Sequence, residues 1–286
     1  MATLRDLKRQ IRSINNIAKV TEALQTVSAV KFRKAESRVK RARPYAENME
    51  QMMRDVARHA RGGSPLLVGR GGNRVAVASI TADRGLAGGF NAQVLRRTVQ
   101  FRRERGAETI QVASGRKAAA FFRFRRIGLK EIYTGFSDSP TYEKARGIGR
   151  DLYKLFLEEE TDEVYLIYNR FESALTQRPV LTRLLPVAPE EVEDEDPSRT
   201  SLEFVEDAGE ILERLVPRYV ETMVWQALLE SAAGEHGARM TAMKNATDNA
   251  NELAKDLTLQ MNKARQAQIT REISEIAAGA EALSAG

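Results

Sequence analysis

The stretch of the sequence most suggestive of chemistry is a glycine-rich turn at 81–91. It reads Thr-Ala-Asp-Arg-Gly-Leu-Ala-Gly-Gly-Phe-Asn and directly follows an apolar run at 75–80. A turn of this kind at the start of a helix can hold a phosphate on its backbone N–H groups. This one lacks the lysine and hydroxyl residue of a P-loop and the glycine spacing of a dinucleotide fingerprint. The sequence therefore favours a tight strand-to-helix turn, with glycines where φ must be positive, over a nucleotide site.

Residue types for nucleophilic or metal chemistry are scarce. The chain has no cysteine, which excludes disulfides, thiolate metal ligands and cysteine catalysis, and favours a reducing compartment. Its two histidines, His59 and His236, belong to the terminal segments, far along the chain from the glycine-rich turn. The acidic run at 190–196 has no glycine and no alternating ligand pattern, which is typical of a solvated loop rather than a calcium site. We expect no catalytic residue, no metal site and no cofactor.

Basic charge is concentrated near the N-terminus. Residues 1–43 contain 12 lysines and arginines against 3 acids, whereas 210–286 contain 8 against 11, and the whole chain has a net charge of +6. Such a segment can meet an acidic protein surface or a nucleic acid backbone. Its only aromatic residues are Phe32 and, just beyond, Tyr45, so base stacking has little support. The basic positions expected to meet a partner are Arg9, Arg12, Lys31, Arg33 and Lys34.

The N-terminal segment has the apolar spacing of one long helix. From Leu4 to Ala60, apolar residues recur at alternating intervals of three and four, a heptad pattern that fails only around 21–28. The same phase holds on both sides of Pro44, which predicts a kink within one helix rather than a boundary. A second stripe, one residue out of phase, indicates either drift of a coiled coil or contact with a second partner: Ile17, Val20, Leu24 and Val27.

The C-terminal segment has a matching apolar stripe. The stripe predicts a helix that starts near Glu210, although Pro217, Gly234 and Gly237 could interrupt it. Its apolar positions are Met240, Met243, Ala246, Ala250, Leu253, Leu257, Met261 and Ala264, followed by Ile269, Ile273, Ile276, Ala280 and Leu283. Because neither terminal helix could bury its stripe alone, we expect them to form a long antiparallel coiled coil, in which the N-terminal partner ends opposite residue 267. The stripe beyond that point must then be covered from outside the chain.

Between the two helices lies an α/β pattern. Strand-like runs at 75–80, 109–113 and 163–168 alternate with helical stretches at 91–105, 116–125 and 141–159. This alternation predicts a Rossmann-like, largely parallel sheet with crossover helices, to which a run at 180–187 adds a further segment. No run of 18 apolar residues exists, so we expect no direct membrane span. The expected organisation is a coiled-coil helix at 1–60, an α/β domain at 73–207 and a coiled-coil helix at 210–286.

Five separated motifs, in order along the chain, resemble the gamma subunit of F-type ATP synthase, and the resemblance covers essentially the whole sequence. The most specific is Ile-Thr-Arg-Glu-Ile-Ser-Glu-Ile-Ala-Ala-Gly-Ala-Glu-Ala at 269–282. The others are the glycine-rich turn, Asn-Asn-Ile-Ala-Lys-Val-Thr-Glu-Ala-Leu at 15–24, Arg-Pro-Tyr-Ala at 43–46, and Asn-Lys-Ala-Arg-Gln-Ala-Gln-Ile-Thr at 262–270. The absence of cysteine and of a regulatory insert implies a bacterial-type subunit.

The resemblance implies a rotor shaft without bond chemistry of its own. Its coiled coil would turn inside a ring of alpha and beta subunits, and its α/β domain would contact the epsilon subunit and the membrane c-ring. It would couple proton flow to ATP synthesis as a peripheral protein on the cytoplasmic side of a bacterial inner membrane. The resemblance also implies partner-binding residues near the tip: Arg265, Gln266, Thr270, Glu272, Ile273 and Ile276. A basic coiled coil that binds nucleic acid, and an α/β enzyme using the Gly85 turn, are the alternatives.

Overall fold

The computed structural model describes residues 3–59, 65–105, 109–187 and 208–284. The acidic run at 190–196 lies outside the described residues. The chain divides into two compact units, one made of 1–27 with 241–286 and the other of 28–240. The helices are α1 (Leu4–His59), α2 (Pro65–Val68), α3 (Phe90–Arg105), α4 (Arg116–Phe124), α5 (Tyr142–Leu157) and α6 (Ala208–Ser284). The strands are β1 (Val75–Ile80), β2 (Thr109–Ser114), β3 (Leu129–Tyr133), β4 (Glu163–Phe171) and β5 (Gln177–Leu185).

The two long helices are continuous through their predicted weak points. Pro44 lies inside α1, as the heptad phase predicts. Helix α6 continues through Pro217, Gly234 and Gly237, so none of these residues interrupts it. At the start of α1 the Thr3 hydroxyl accepts a hydrogen bond from the Asp6 N–H at 3.2 Å, and the Asp6 carboxylate accepts one from the Thr3 N–H at 3.3 Å. This reciprocal cap satisfies backbone donors that a helix start leaves free.

The sheet has the order β3-β2-β1-β4-β5. The pairs β3–β2, β2–β1 and β1–β4 are parallel, and β5 is antiparallel to β4. This confirms the Rossmann-like prediction. Strand β3 was missed because most of its side chains are exposed, which leaves no apolar run to detect. The predicted run at 180–187 corresponds to β5, which begins earlier and runs antiparallel.

Side chains on alternate positions of the sheet enter two different layers, as the pleat requires. On one face Val75 and Val77 pack with Phe101 of α3. On the other face Ala76 and Leu166 join a larger cluster formed with α5, the second half of α1 and the first half of α6. Within the unit formed by 28–240 the two long helices run antiparallel. The early part of its α1 segment packs with Leu229 and Ala233 of α6, through Phe32, Ala35 and Val39. The end of α1 instead shares a cluster with Val216 and Val220, through Met53 and Val56.

The unit formed by 1–27 and 241–286 is an antiparallel helix pair. Its seam buries small and apolar side chains, among them Leu7, Ala18, Met243 and Ala250, and is crossed by a 2.6 Å hydrogen bond between the hydroxyls of Thr21 and Thr247. These two residues lie opposite each other in the register that the sequence predicts. One predicted seam position is wrong: Leu253 is 49% exposed, and the neighbouring Ala254 lies partly buried instead. None of the described helices is long and apolar enough to cross a membrane.

Candidate partner-binding surfaces

The carboxyl ends of β1 and β4 meet where the strand order reverses, the position at which open α/β sheets usually bind ligands. In this chain α6 fills that position. A Cβ atom on Gly234 would lie 3.0 Å from the Phe90 ring, and one on Gly237 would lie 3.0 Å from the backbone oxygen of Ala174. These glycines therefore let α6 approach the turns at the sheet edge.

The glycine-rich turn is held by its own side chains and its neighbours. The Asn91 side-chain oxygen accepts a hydrogen bond from the Ala82 N–H at 2.8 Å. The Asp83 carboxylate accepts three backbone N–H bonds, from Arg116 at 3.0 Å, Gly135 at 2.8 Å and Ser137 at 3.1 Å. Burial alone would raise the pKa of Asp83, but these donors outweigh it and lower the pKa below its usual value. Asp83 thus ties the turn to the start of α4 and to the loop that follows β3, which agrees with the prediction of a tight strand-to-helix turn.

A buried charged cluster connects α6 to this edge. The Glu235 carboxylate lies 2.6 Å from the Arg239 guanidinium, with side chains 1% and 9% exposed. Arg239 also donates to the Gly85 backbone oxygen at 3.2 Å. The neighbouring His236 lies 3.1 Å from the Asp138 backbone oxygen, and burial lowers the pKa of this imidazole. Although His236 is far along the chain from the glycine-rich turn, helix α6 brings it close in space, since Arg239, which contacts Gly85, lies one helical turn further on.

A second buried carboxylate continues the same connection. Glu230 accepts hydrogen bonds from the Arg43 side chain and from the Phe171 N–H, each at 3.1 Å, and from the Gln226 amide at 2.8 Å. One ten-residue stretch of α6, 230–239, therefore holds the loops that follow β1, β3 and β4. We call this stretch the joint.

The predicted basic residues of α1 differ in their surroundings. Arg9 is 82% exposed and pairs with Asp6 at 2.9 Å. Arg12 is exposed and lines a groove of about 600 Å³ that also includes Lys8 and Lys19. Arg33 and Lys34 are exposed as well. Lys31 instead pairs with Asp138 at 2.5 Å, which helps to hold the pKa of that partly buried carboxylate below its usual value.

The predicted tip residues all lie on an exposed end of α6. Every side chain from 265 to 278 is exposed, including those of Arg265, Gln266, Thr270 and Glu272. Ile273 is 62% and Ile276 is 72% exposed. The side chain of Glu272 accepts a hydrogen bond from Gln268 at 2.9 Å. None of the residues in the described ranges covers this apolar stripe, as the predicted register requires.

Two further surfaces are exposed. The second stripe of α1 presents Ile17, Val20 and Val27 at 52%, 59% and 53% exposure, whereas Leu24 is partly buried. The other surface, which the sequence analysis missed, is a groove of about 480 Å³ lined by Tyr45, Tyr142, Arg146, Arg150, Arg218 and Glu221. We call it the arginine groove. Its only signal in the sequence is a pair of arginines four residues apart, Arg146 and Arg150.

Comparison with known proteins gives full-length matches. A family model described as ATP synthase matches residues 3–283. The ATP synthase gamma chain of Rubrobacter xylanophilus is 70% identical, and the match covers 100% of both chains. The gamma chain of Pelotomaculum thermopropionicum is 46% identical over 99% of this chain and 100% of that protein.

Solved structures show the same fold at low identity. A chain from the OSCP/F1/c-ring part of the Euglena gracilis mitochondrial ATP synthase is 16% identical with a TM-score of 0.70, and the match covers 99% of this chain and 95% of that one. A chain of the Tetrahymena thermophila mitochondrial ATP synthase central stalk and c-ring is 22% identical with a TM-score of 0.59, over 79% of this chain and 99% of that one.

Proposed function

The chain belongs to the gamma-chain family of F-type ATP synthase, and from that premise we propose that it is the central rotor shaft of such an enzyme. In this role it couples rotation of a proton-driven c-ring to conformational change and ATP synthesis in a catalytic ring. The subunit performs no bond chemistry itself. The observation that carries the proposal is the full-length 70% identity to a gamma chain.

The exposed end of α6 fits this role. A lone helix end with exposed isoleucines is poorly stable in water, so a partner must cover Ile269, Ile273 and Ile276. An apolar sleeve at the top of the alpha and beta ring would cover the stripe without fixing one rotational angle, because apolar contacts are not directional. Arg265 and Gln266, one turn below, would exchange hydrogen bonds with successive catalytic subunits as the shaft turns.

The remaining partners follow from the same role. The exposed cations of α1, Arg9, Arg12, Arg33 and Lys34, would face acidic segments of the catalytic ring. Lys31, although paired within the chain, lies on the same helix. The sheet would contact the epsilon subunit and the c-ring. The assembly would place the chain peripherally on the cytoplasmic side of a bacterial plasma membrane.

Co-expression tests the proposal. The chain is produced with the alpha and beta subunits of the Rubrobacter xylanophilus enzyme, and the purified material is assayed for ATP hydrolysis. We expect a stable complex that contains this chain and hydrolyses ATP. A chain that purifies alone, while alpha and beta assemble without it, would refute the proposal.

The nucleic-acid alternative has no observation in its favour. Phe32, the aromatic residue within the basic segment, is partly buried and packs against the Phe171 ring with centroids 5.8 Å apart, so it offers no stacking surface. Two results together would support this alternative: tight binding of a random oligonucleotide at physiological salt, and a steep fall in that affinity as the salt concentration rises.

A further inference from the structure

The arginine groove lies in the unit formed by 28–240, at the place where α1, α5 and α6 meet. Helix α5 approaches α6 closely because Gly149 has no side chain: a Cβ atom there would lie 3.0 Å from the Cα of Glu221. Arg146 and Arg150 flank this contact on α5, and Arg218 lies one turn before Glu221 on α6. The close contact therefore brings three arginines together around one opening.

The charge in the groove is largely uncompensated. Among the residues that the structure describes, Glu221 is the only acid that lines the groove, and its carboxylate lies 4.0 Å from the Arg146 guanidinium. Arg150 and Arg218 make no ion pair or hydrogen bond with any residue that the structure describes. Glu221 is 17% exposed and already accepts a hydrogen bond from the Tyr142 hydroxyl at 3.1 Å. The groove thus keeps guanidinium donors available for further carboxylates.

The aromatic residues around the groove indicate a protein partner. Tyr45 is 58% and Tyr142 is 45% exposed, and tyrosine and arginine are the residue types enriched at protein interfaces. The Tyr142 ring packs edge-on against Trp225 with centroids 6.0 Å apart, and Arg38 lies 5.5 Å above the Trp225 ring. Of the two tyrosines that line the groove, this packing leaves only the Tyr45 ring available for stacking. Stacking of successive bases requires more than one such ring.

From this geometry we propose that the arginine groove binds an acidic polypeptide segment of another subunit in the same assembly, with Arg146, Arg150 and Arg218 receiving its carboxylates. The proposal rests on the proposed function, since it takes the partner from that assembly. Planar guanidinium groups bind carboxylates with two parallel hydrogen bonds, which gives a fixed orientation as well as affinity. The groove would therefore set the orientation of the partner on the α/β domain.

Charge reversal in the full-length chain tests the proposal. The variant R146E/R218E is compared with a matched control, R96E/R103E, which makes the same charge change on exposed positions of α3. The probes are the epsilon subunit and the detergent-solubilised c-ring of one F-type enzyme, each titrated at physiological salt. Unchanged circular dichroism checks folding, and the milder variant R150Q/R218Q replaces the reversal if it does not fold.

We expect the groove variant to lose about tenfold in affinity for one of the two probes, or 1.4 kcal/mol, while the control changes less than twofold. Equal losses in groove variant and control would overturn the proposal. So would a loss confined to an oligonucleotide or to anionic vesicles tested in parallel. If the unmodified chain binds neither probe, the proposed function fails with it, whereas binding that is unaffected by the groove variant overturns the groove alone.

Discussion

Replacing Arg239 by alanine should destabilise the unit formed by 28–240 severely. The change leaves the Glu235 carboxylate, 1% exposed, without its cation, and the Gly85 backbone oxygen without its donor. Breaking a buried ion pair by removing one partner typically costs about 3–5 kcal/mol, because the remaining charge stays desolvated. We therefore expect a loss of about 3–5 kcal/mol in the free energy of unfolding.

Most of this loss should come from the unpaired Glu235 carboxylate rather than from the lost contacts of Arg239. A double variant can separate these two causes. In E235Q/R239A the buried charge is removed together with its partner, and we expect a smaller loss than the sum of the two single variants. The variant R239K keeps the charge but cannot reach Glu235 and the Gly85 oxygen with one planar group, so it should lie between the wild type and R239A.

Urea unfolding followed by tryptophan fluorescence is a suitable assay, because the chain has a single tryptophan, Trp225, in this same unit. The control is R96A, an exposed arginine on α3, for which we expect a change within about 0.5 kcal/mol. A loss below about 1 kcal/mol for R239A, or strict additivity of the two single changes in the double variant, would show that the pair does not act as a buried unit.

Three other predictions concern pH and the tip. Burial lowers the pKa of His236 from its usual 6.5, among the facing groups Glu235, Asp138, Lys31 and Arg239. The unfolded state therefore binds more protons below about pH 6.5, and the free energy of unfolding should fall as the pH drops through that range. Urea unfolding at pH 7.5 and at pH 5.5 measures this fall, which should be smaller in the variant H236Q than in the wild type. An equal fall in both proteins would contradict this cause. The double variant R265A/Q266A should lower ATP turnover of the assembled enzyme while changing the stability of the isolated chain by less than about 0.5 kcal/mol, because both side chains are exposed; equal effects on both would favour two merely solvated residues. Trypsin should cut after Arg271 readily in the isolated chain and slowly in the complex, and equal rates would indicate an uncovered tail.

Periodicity predicted most of the fold because the buried positions follow it. Val75 to Ile80 are all buried, and the heptad stripe of α1 runs unbroken through Pro44, so apolar spacing locates both elements. Strand β3 at the sheet edge has three exposed side chains in its centre and no such spacing. The antiparallel direction of β5 could not be predicted from apolar spacing either, because the same run of apolar residues can pair in a parallel or an antiparallel direction.

The joint could not be predicted because its contacts join distant parts of the chain. Gly234 and Gly237 suggest weakness in a helix when only neighbouring residues are considered. In the folded chain these glycines let α6 pack close to Phe90 and Ala174, which come near the helix only after the sheet has formed. His236 meets a backbone oxygen 98 residues away, and no local pattern indicates that partner. The exposure of the tip was predictable because it needs no partner within the chain, and the role of the tip residues in binding stays a prediction.

Rotation observed in single molecules tests the shaft role most directly. The chain has no native cysteine, so F124C, at a position 85% exposed at the end of α4, provides one attachment point for a bead on the sheet unit. The alpha and beta subunits of the complex are fixed to a surface and ATP is supplied. We expect the bead to rotate in one direction, at a speed that rises with ATP concentration until the complex is saturated. A bead that stays at one angle while the same complex hydrolyses ATP would contradict the role of this chain as the rotor.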